Sequence, residues 1–345
     1  MKVLLTGGLG YIGSHICLEL LSNNYEVVII DSLVNSNLSV LERIKKIMST
    51  DNVYFKDKIS FYKDDLRNEK KLRNLFEINL HTKTPIGAVI HCAGLKSVAD
   101  SIKRPLDYWL NNVNSTLVLM KIMEEFKCKT IIFSSSATIY GVDKQELIDE
   151  NVLINPINPY GQTKACIEKF LSDIYSSNPH DWRIANLRYF NPVGAHSSGL
   201  IGESPKGIAN NIFPVIQKVA AGQIDKLKIF GDNWDTYDGT GVRDYIHVMD
   251  LADGHVKCLK YIENKKNQFL NVNLGTGIGT SVLELVKTYE IVNNVKITYE
   301  IVSRRKGDFG CVVADNSKAI STLGWTPTRS IEEMCKDSWK FQINN

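Results

Sequence analysis

Along the first half of the chain, short apolar runs alternate with stretches whose apolar positions recur every three or four residues. Residues 3–5, 27–30 and 131–133 are apolar throughout, and 59–62 and 88–92 nearly so, the pattern of strands covered on both faces in a parallel sheet. Between them, 11–23, 37–48, 69–80 and a long stretch over 106–126 carry the helical period. This alternation predicts an α/β fold, a Rossmann-type doubly wound parallel sheet. The polar interruption at 49–57 reads as a surface loop. Beyond residue 175 the alternation loosens. Residues 184–187 read as a sixth core strand, and 191–205 are rich in Pro, Gly and Ser. Helical stretches at 208–221, 251–262, 282–292 and 331–341 then interleave with short strands at 269–273 and 297–301. The expected organisation is a larger domain over 1–190 and a smaller C-terminal α/β lobe over 191–345. The boundary is soft, with some chain crossing back.

The first strand runs into Thr6-Gly7-Gly8-Leu9-Gly10-Tyr11-Ile12-Gly13, and a helix follows. Glycines at this spacing allow a tight turn, a close approach of backbone to phosphate, and tight packing of helix on strand. The helix N-terminus then faces the pyrophosphate of a dinucleotide. Asp31 ends the second strand, 18 residues beyond Gly13. A carboxylate there accepts hydrogen bonds from the adenosine ribose and repels a 2′-phosphate, so NAD is expected over NADP. Asp65, after the third strand, has two readings of equal weight: a contact to adenine, or a cap for the next helix.

Composition changes this picture little. With 41 basic and 38 acidic residues the formal charge is +3, too balanced to argue for nucleic acid or a membrane surface as partner. The seven cysteines, at 17, 92, 128, 166, 258, 311 and 335, form no C-x-x-C pair, which argues against a disulfide framework or a metal site. No signal core precedes the first strand, and no apolar stretch reaches the ~18 residues of a membrane span. The expectation is cytoplasmic.

Chemistry enters at Tyr160-Gly161-Gln162-Thr163-Lys164. Tyr and Lys four apart share one helix face, and an ammonium there is expected to lower the phenol pKa for proton transfer. The chain holds three other such pairs: Tyr54/Lys58, Tyr140/Lys144 and Tyr261/Lys265. Context favours Tyr160. It follows Pro156 and Pro159, opens an amphipathic stretch, and lies beyond Ser134-Ser135-Ser136. Those serines end a buried strand on the carboxyl edge, where open α/β sheets bind ligands.

With these segments in place, the chain resembles the extended short-chain dehydrogenase/reductase superfamily and, within it, the UDP-glucose 4-epimerase family. The resemblance covers nearly the whole chain. It is carried by VLLTGGLGYIGSH, HCAGLKSVADS, NNVNSTLVL, FSSSATIYG, PYGQTK, LRYFNPVGAH, GTGVRDYIHVMDLADGH and RRKGDF.

The resemblance implies that Tyr160 takes the proton of the sugar 4-hydroxyl while the C4 hydride passes to nicotinamide. A 4-keto sugar then turns over in the pocket and takes the hydride back on its other face. Lys164 would hold the nicotinamide ribose and tune Tyr160, and Ser136 would hydrogen-bond the 4-oxygen. Gly7, Gly10, Tyr11, Ile12 and Gly13 would carry the pyrophosphate. Asp31, Ser32, Leu33, Val34, Asn35 and Ser36 would surround the adenosine ribose, and Asp65 and Leu66 the adenine. Cys92, Ala93, Gly94, Leu95, Lys96, Asn111 and Phe190 would line the rest of the cofactor.

For the nucleotide-sugar, the resemblance implies Asn191, Asn211, Ile212, Arg243, Arg305 and Asp308, with Lys228, Ile229 and Phe230 beside the uracil. Lys96, Ser136 and Tyr160 would reach the substrate as well. Arginine suits a diphosphate through its forked donors. Val312 stands where the family varies a residue near the sugar 2-substituent, and its small size suggests that N-acetylated UDP-sugars fit. No metal is expected.

The 4,6-dehydratases of the same fold place an Asp-Glu pair after the strand-end hydroxyl residue. Here those positions are Ala137 and Thr138, which cannot carry the extra proton transfer of a dehydration. A UDP-glucuronate epimerase and a non-catalytic NAD-binding regulator are the alternatives. The resemblance also implies a homodimer built on helices around 106–126 and 160–175. Tyr108, Trp109, Val113, Leu117, Met120 and Met123 give the first of these an apolar face, which fits a dimer seam or an internal core helix equally well.

Overall fold

The computed structural model describes residues 1–50, 55, 57–82, 84–141, 147–207, 211–305 and 307–345. Tyr54 and Lys144, each half of a competing Tyr/Lys pair, lie outside them, as do residues 208–210 at the start of an expected helix.

In chain order the elements begin β1 (Lys2–Thr6), α1 (Tyr11–Ser22), β2 (Glu26–Asp31), α2 (Ser39–Thr50), β3 (Ile59–Lys63), α3 (Glu69–Leu80), β4 (Ile86–His91), α4 (Val98–Lys103) and α5 (Pro105–Tyr108). A π-helical turn (Trp109–Val113) leads into α6 (Asn114–Glu125), then β5 (Thr130–Ser136), a 3₁₀ turn (Ala137–Ile139), α7 (Pro159–Ser177), β6 (Arg183–Tyr189) and β7 (Asn191–Val193). The remainder is α8 (Ile212–Ala220), β8 (Leu227–Phe230), β9 (Val242–His247), α9 (Val248–Glu263), β10 (Gln268–Leu274), β11 (Gly279–Ser281), α10 (Val282–Asn293), β12 (Tyr299–Val302), β13 (Cys311–Val312), α11 (Ser317–Leu323) and α12 (Ile331–Ile343).

The chain forms two compact units, and both are discontinuous. The first holds Met1–Ile139, Pro156–Arg188 and Ala252–Val272; the second holds Tyr140–Asn155, Tyr189–Leu251 and Asn273–Asn345. Thus 140–155 leaves the span drawn as one domain in the sequence, and 252–272 returns to it.

The first unit is organised by a seven-stranded sheet in the order β10-β6-β5-β4-β1-β2-β3, the doubly wound arrangement. Pairing from β3 through β2, β1 and β4 to β5 is parallel. β1 and β5 are buried at every position, as apolar runs between two helical layers must be. β3 alternates partly buried with exposed residues instead, because it is the edge strand and lacks a neighbour on one side. One core beside the sheet joins Leu4, Val28 and Phe133 to Leu72, Leu75 and Phe76 of α3, Leu119 and Met123 of α6, and Ile167 and Leu171 of α7.

The long helix expected over 106–126 forms without a gap over residues 105–125 but carries a π-helical turn within it. Pro105 starts α5, the π turn inserts a wider loop of backbone, and α6 begins only at Asn114. Its apolar face is divided accordingly. Tyr108, Met120 and Met123 are core residues, whereas Trp109 and Leu117 are exposed with Leu106 and Leu110.

The second unit holds a four-stranded sheet with β9 paired to β7, β11 and β13, and a two-stranded parallel sheet of β8 and β12. Its core gathers Phe213 and Ile216 of α8, Tyr245 of β9, Leu285 and Tyr289 of α10, and Met334 of α12. Ser281 and Ser330 start α10 and α12 with reciprocal capping boxes to Glu284 and Glu333. Among the described residues no helix is long and apolar enough to cross a membrane.

Candidate functional site

The glycine loop is built for close approach. Gly7 lies at φ +66°, and a Cβ there would stand 2.9 Å from the Ala93 backbone. At Gly13 a Cβ would meet Gly7 O at 2.3 Å, so only glycine lets α1 seat on the turn. Gly10 precedes α1 with no side-chain cap hydrogen bond, leaving the helix start to an anion. Asp31 is buried, and its carboxylate accepts from Leu9 N (3.0 Å), Leu33 N (2.9 Å) and Ser36 Oγ (2.8 Å). These bonds lock the acid beside the loop. Ser32, Val34 and Asn35 are exposed around it, and Leu33 takes a left-handed conformation at φ +60°. Lys96 is exposed, with its ammonium 5.7 Å from the Tyr11 ring centre.

Beneath the loop, Thr6 Oγ1 bonds His91 Nδ1 at 2.7 Å, and His91 Nε2 bonds Thr116 Oγ1 at 3.0 Å. Burial, assisted by the Lys164 charge, pushes the imidazole down to about 3, so it stays neutral between two hydroxyls. Thr6 Oγ1 also accepts from Ala93 N at 3.2 Å, which fixes the turn after β4. Cys92, beside it, is half-buried, and its thiol helps to keep Lys164 charged.

Two expectations change here. Asp65 does not cap α3; Asn68 does, accepting from Lys71 N at 3.3 Å. The Asp65 carboxylate instead binds Arg67 through N, Nε and a terminal nitrogen, and Arg67 holds its pKa below the ordinary value. Leu66 is buried in the core. Asn111 bonds back to Asp107 O at 2.7 Å, while its neighbour Asn112 is buried and bonds Leu95 N (2.7 Å), Leu95 O (3.1 Å) and Thr163 Oγ1 (3.1 Å). Asn112 ties the Ala93–Leu95 turn to α7, a role the sequence reading missed.

The serine–tyrosine–lysine group comes together within the first unit. Asn158 caps α7 by accepting from Gly161 N at 2.9 Å, and Pro159 opens it. Gly161 is required because a Cβ there would lie 2.7 Å from Thr138 O. Lys164 is buried one turn beyond Tyr160 and donates to Ser134 O at 2.6 Å, with Nζ 5.9 Å from the Tyr160 ring centre. Ser136 lies beside the Tyr160 hydroxyl and favours its ionised form, and Ser136 Oγ accepts from Thr138 N (3.2 Å) and Oγ1 (3.0 Å). Tyr108 meets the Tyr160 ring edge-on at 6.4 Å.

The electrostatics correct the expected tuning. Tyr160 keeps some exposed surface, yet desolvation pushes its phenol up to about 12, against the lowering by Ser136. Burial brings Lys164 down to about 8, which leaves it mostly charged at neutral pH. On the polypeptide alone, desolvation of the phenolate outweighs what its neighbours offer.

The second unit carries the residues expected to meet a nucleotide-sugar. β9 gathers three of them: Asn191 pairs with Tyr245 and donates to Asp244 O (3.0 Å), and Val312 pairs with Arg243. Arg243 donates to Val242 O at 2.9 Å and to Gly310 O at 3.4 Å. Asp244, unremarked in the sequence, is the buried anchor of this sheet, accepting from Thr276 N and Oγ1, Gly277 N and Ala314 N. Arg305 lies 4.3 Å over the Phe230 ring and donates to Asp308 at 3.1 Å. Lys228 is exposed, whereas Ile229 is buried in the second core, so strand alternation leaves Ile229 only backbone to offer a ligand. Asn211 stands before α8 and donates to Glu203 at 2.7 Å, and Ile212 packs against the second core. Phe190 is buried, with its N–H on Leu274 O at 3.2 Å. Among the described residues no cluster of three or more His, Cys, Asp or Glu is arranged to hold a metal.

A doubly wound sheet, a glycine loop with its acid, and Ser136, Tyr160 and Lys164 at the β5–α7 edge define an extended short-chain dehydrogenase/reductase. A family model described as GDP-mannose 4,6 dehydratase matches residues 4–338. The UDP-glucose 4-epimerase of Bacillus subtilis is 47% identical over 345 residues, covering 100% of this chain and 98% of the relative. The Stenotrophomonas maltophila UDP-glucose 4-epimerase, crystallised with NAD and formylated UDP-arabinopyranose, superposes with a TM-score of 0.93 at 42% identity, covering 100% and 98% of the two chains. The Bifidobacterium longum enzyme, in complex with NAD+ and UDP, gives 0.93 at 44% identity, covering 100% and 99%. The chain belongs to the UDP-glucose 4-epimerase family.

Proposed function

We propose that this protein interconverts UDP-galactose and UDP-glucose by inverting the C4 hydroxyl, with NAD held as a resident group. The observation that carries this reading is Lys164, buried one turn beyond Tyr160 and donating to Ser134 O, with Ser136 beside the Tyr160 hydroxyl. The loop at Gly7, Gly10 and Gly13 fits a pyrophosphate, because side chains there would collide with backbone and α1 starts uncapped. Asp31, with lone pairs to spare beyond its three protein donors, fits the ribose hydroxyls. Bound NAD supplies a hydride acceptor that becomes the donor within the same turnover.

The chain's own residues handle the proton. Tyr160 takes it from the sugar 4-hydroxyl, and Ser136 steadies the oxygen left behind. Thr138 donates to Ser136 Oγ, so the Ser136 proton is directed toward the Tyr160 oxygen. Lys164, anchored on Ser134 O, presents positive charge to the phenolate as it forms. Ala137 and Thr138 stand where a dehydratase needs its acid pair, so the reaction ends at inversion.

Arg243 and Arg305 are assigned to the diphosphate, and Asn191 and the β8 edge at Phe230 to the sugar and base. Val312 beside Arg243 is small, which supports acceptance of N-acetylated UDP-sugars. The exposed Leu106, Trp109, Leu110 and Leu117 support a homodimer through this face, which light scattering checks directly. Seven cysteines, none of them in a disulfide among the described residues, fit a reducing cytoplasm. The functional test is purified protein given UDP-galactose without added NAD: UDP-glucose forms, and an inert protein refutes the reading. UDP-N-acetylgalactosamine left untouched under the same conditions removes the broader specificity alone.

A further inference from the structure

The three serines that end β5 each answer one position on the same face of α7. Ser136 lies beside Tyr160 and lowers its pKa, Ser134 O accepts from Lys164, and Ser135 Oγ donates to Glu168 Oε1 at 2.5 Å. Residues 160, 164 and 168 are spaced by four, so they stack about 6 Å apart along one helix stripe. Glu168 is almost wholly buried, and so is its ion-pair partner Arg188 on β6. The pair is forked: Arg188 Nε donates to Oε1 at 3.1 Å and a terminal nitrogen to Oε2 at 2.7 Å. Buried charge is costly and is stable only when fully satisfied, as here by three donors. Simple helix-on-sheet packing would need only apolar residues at this depth, as Ile167 and Leu171 supply on the same helix.

We propose that Glu168, clamped by Arg188 and Ser135, is a positioning residue that sets the register of the Tyr160–Lys164 stripe on the serines of β5. It touches neither substrate nor cofactor. Its carboxylate fixes how far α7 slides along β5, and so fixes the Tyr160–Ser136 and Lys164–Ser134 contacts together. Its charge also helps to keep Lys164 protonated. The other groups acting on that ammonium are the Cys92 thiol and the His91 imidazole at the end of β4, the Tyr160 ring on α7, and Arg188 behind Glu168. The inference rests on Ser136, Tyr160 and Lys164 being the reacting groups.

The test compares Glu168→Gln, Ser135→Ala and Tyr160→Phe in the NAD-loaded protein. Glu168→Gln keeps the shape and removes the charge. We expect kcat to fall about 30-fold with KM for UDP-galactose unchanged, the scale of a small misplacement of reacting groups. The alkaline limb of the kcat profile should also move to lower pH, because Lys164 loses the Glu168 charge that favours its protonated form and gives up its proton sooner. Wild-type kcat overturns the proposal. So does an unmoved alkaline limb, which marks a mere strut. If Glu168→Gln does not fold, Ser135→Ala decides, since it removes one hydrogen bond and leaves the ion pair. A fall in kcat of about fivefold at unchanged thermal midpoint and KM supports the clamp, and unchanged kcat overturns it. Tyr160→Phe separates the two levels: if it stays active, the catalytic assignment itself fails, whatever Glu168 does.

Discussion

In the first unit, Ser136, Tyr160 and Lys164 stand on a strand and a 19-residue helix, and each has a partner within that unit. In the second, Arg305 is half-exposed between two short strands, resting on the Phe230 ring and Asp308. The first region is over-determined by buried hydrogen bonds. In the second, Arg305 is held by stacking and surface pairing, which are weak and easily exchanged for a ligand, although Asp244 of the same unit is buried and fully bonded. Proton transfer tolerates little misplacement, so its groups sit on rigid elements. An arginine on a loop, such as Arg305, can move toward a ligand, whereas Arg243 is fixed on β9 and hydrogen-bonded to Val242 O and Gly310 O.

The sharpest way to break this contrast is Tyr160→Phe. Loss of the acid/base group is expected to lower kcat about a thousandfold, with KM and bound NAD unchanged. Arg305→Ala should do the reverse, raising KM for UDP-galactose about 30-fold and sparing kcat, as loss of uniform binding does. If steady-state kinetics gave Arg305→Ala a matching fall in kcat, the division of labour would collapse. Val312→Tyr probes the second unit more finely. It should reduce kcat/KM for UDP-N-acetylgalactosamine about tenfold relative to UDP-galactose, and equal losses on both would remove Val312 from specificity.

The smallest effect at neutral pH belongs to the foundation of the first unit. His91 titrates near 6.5 when unfolded and is held down to about 3 in the folded chain. The unfolded state therefore binds more protons in this window, and folding stability falls as pH drops below 6.5, by up to about 1.4 kcal/mol per pH unit from this group. Urea unfolding at pH 7, 6 and 5 should show that slope diminished in His91→Asn. An identical slope in both proteins would mean that other groups set the acid limit.

Much of this was legible in the sequence, and the exceptions have physical causes. The helix over 69–80 was plain because Leu72, Leu75 and Phe76 mark its buried stripe. The glycine loop was plain from its local spacing between two strands, whereas Tyr160/Lys164 stood out from three equally spaced pairs only by its place after the strand-end serines. The π turn was hidden, since the apolar period of 106–126 runs straight through it. Asn112, which the sequence did not single out, reaches Leu95 from within that turn. Partners such as Glu168 and Arg188, or Asp244 and Ala314, come from separate elements, and no local spacing links them. The inward direction of the Ile229 side chain was hidden because a short strand buries alternate residues, and composition does not say which.

The central claim is that the hydride removed from C4 stays on a resident cofactor and returns to the same sugar. UDP-galactose carrying deuterium at C4, given to the purified protein with no added NAD and analysed by proton NMR, tests it directly. The account predicts UDP-glucose with deuterium still at C4 through many turnovers. Loss of the label to solvent, or a dependence on stoichiometric added NAD, would contradict it.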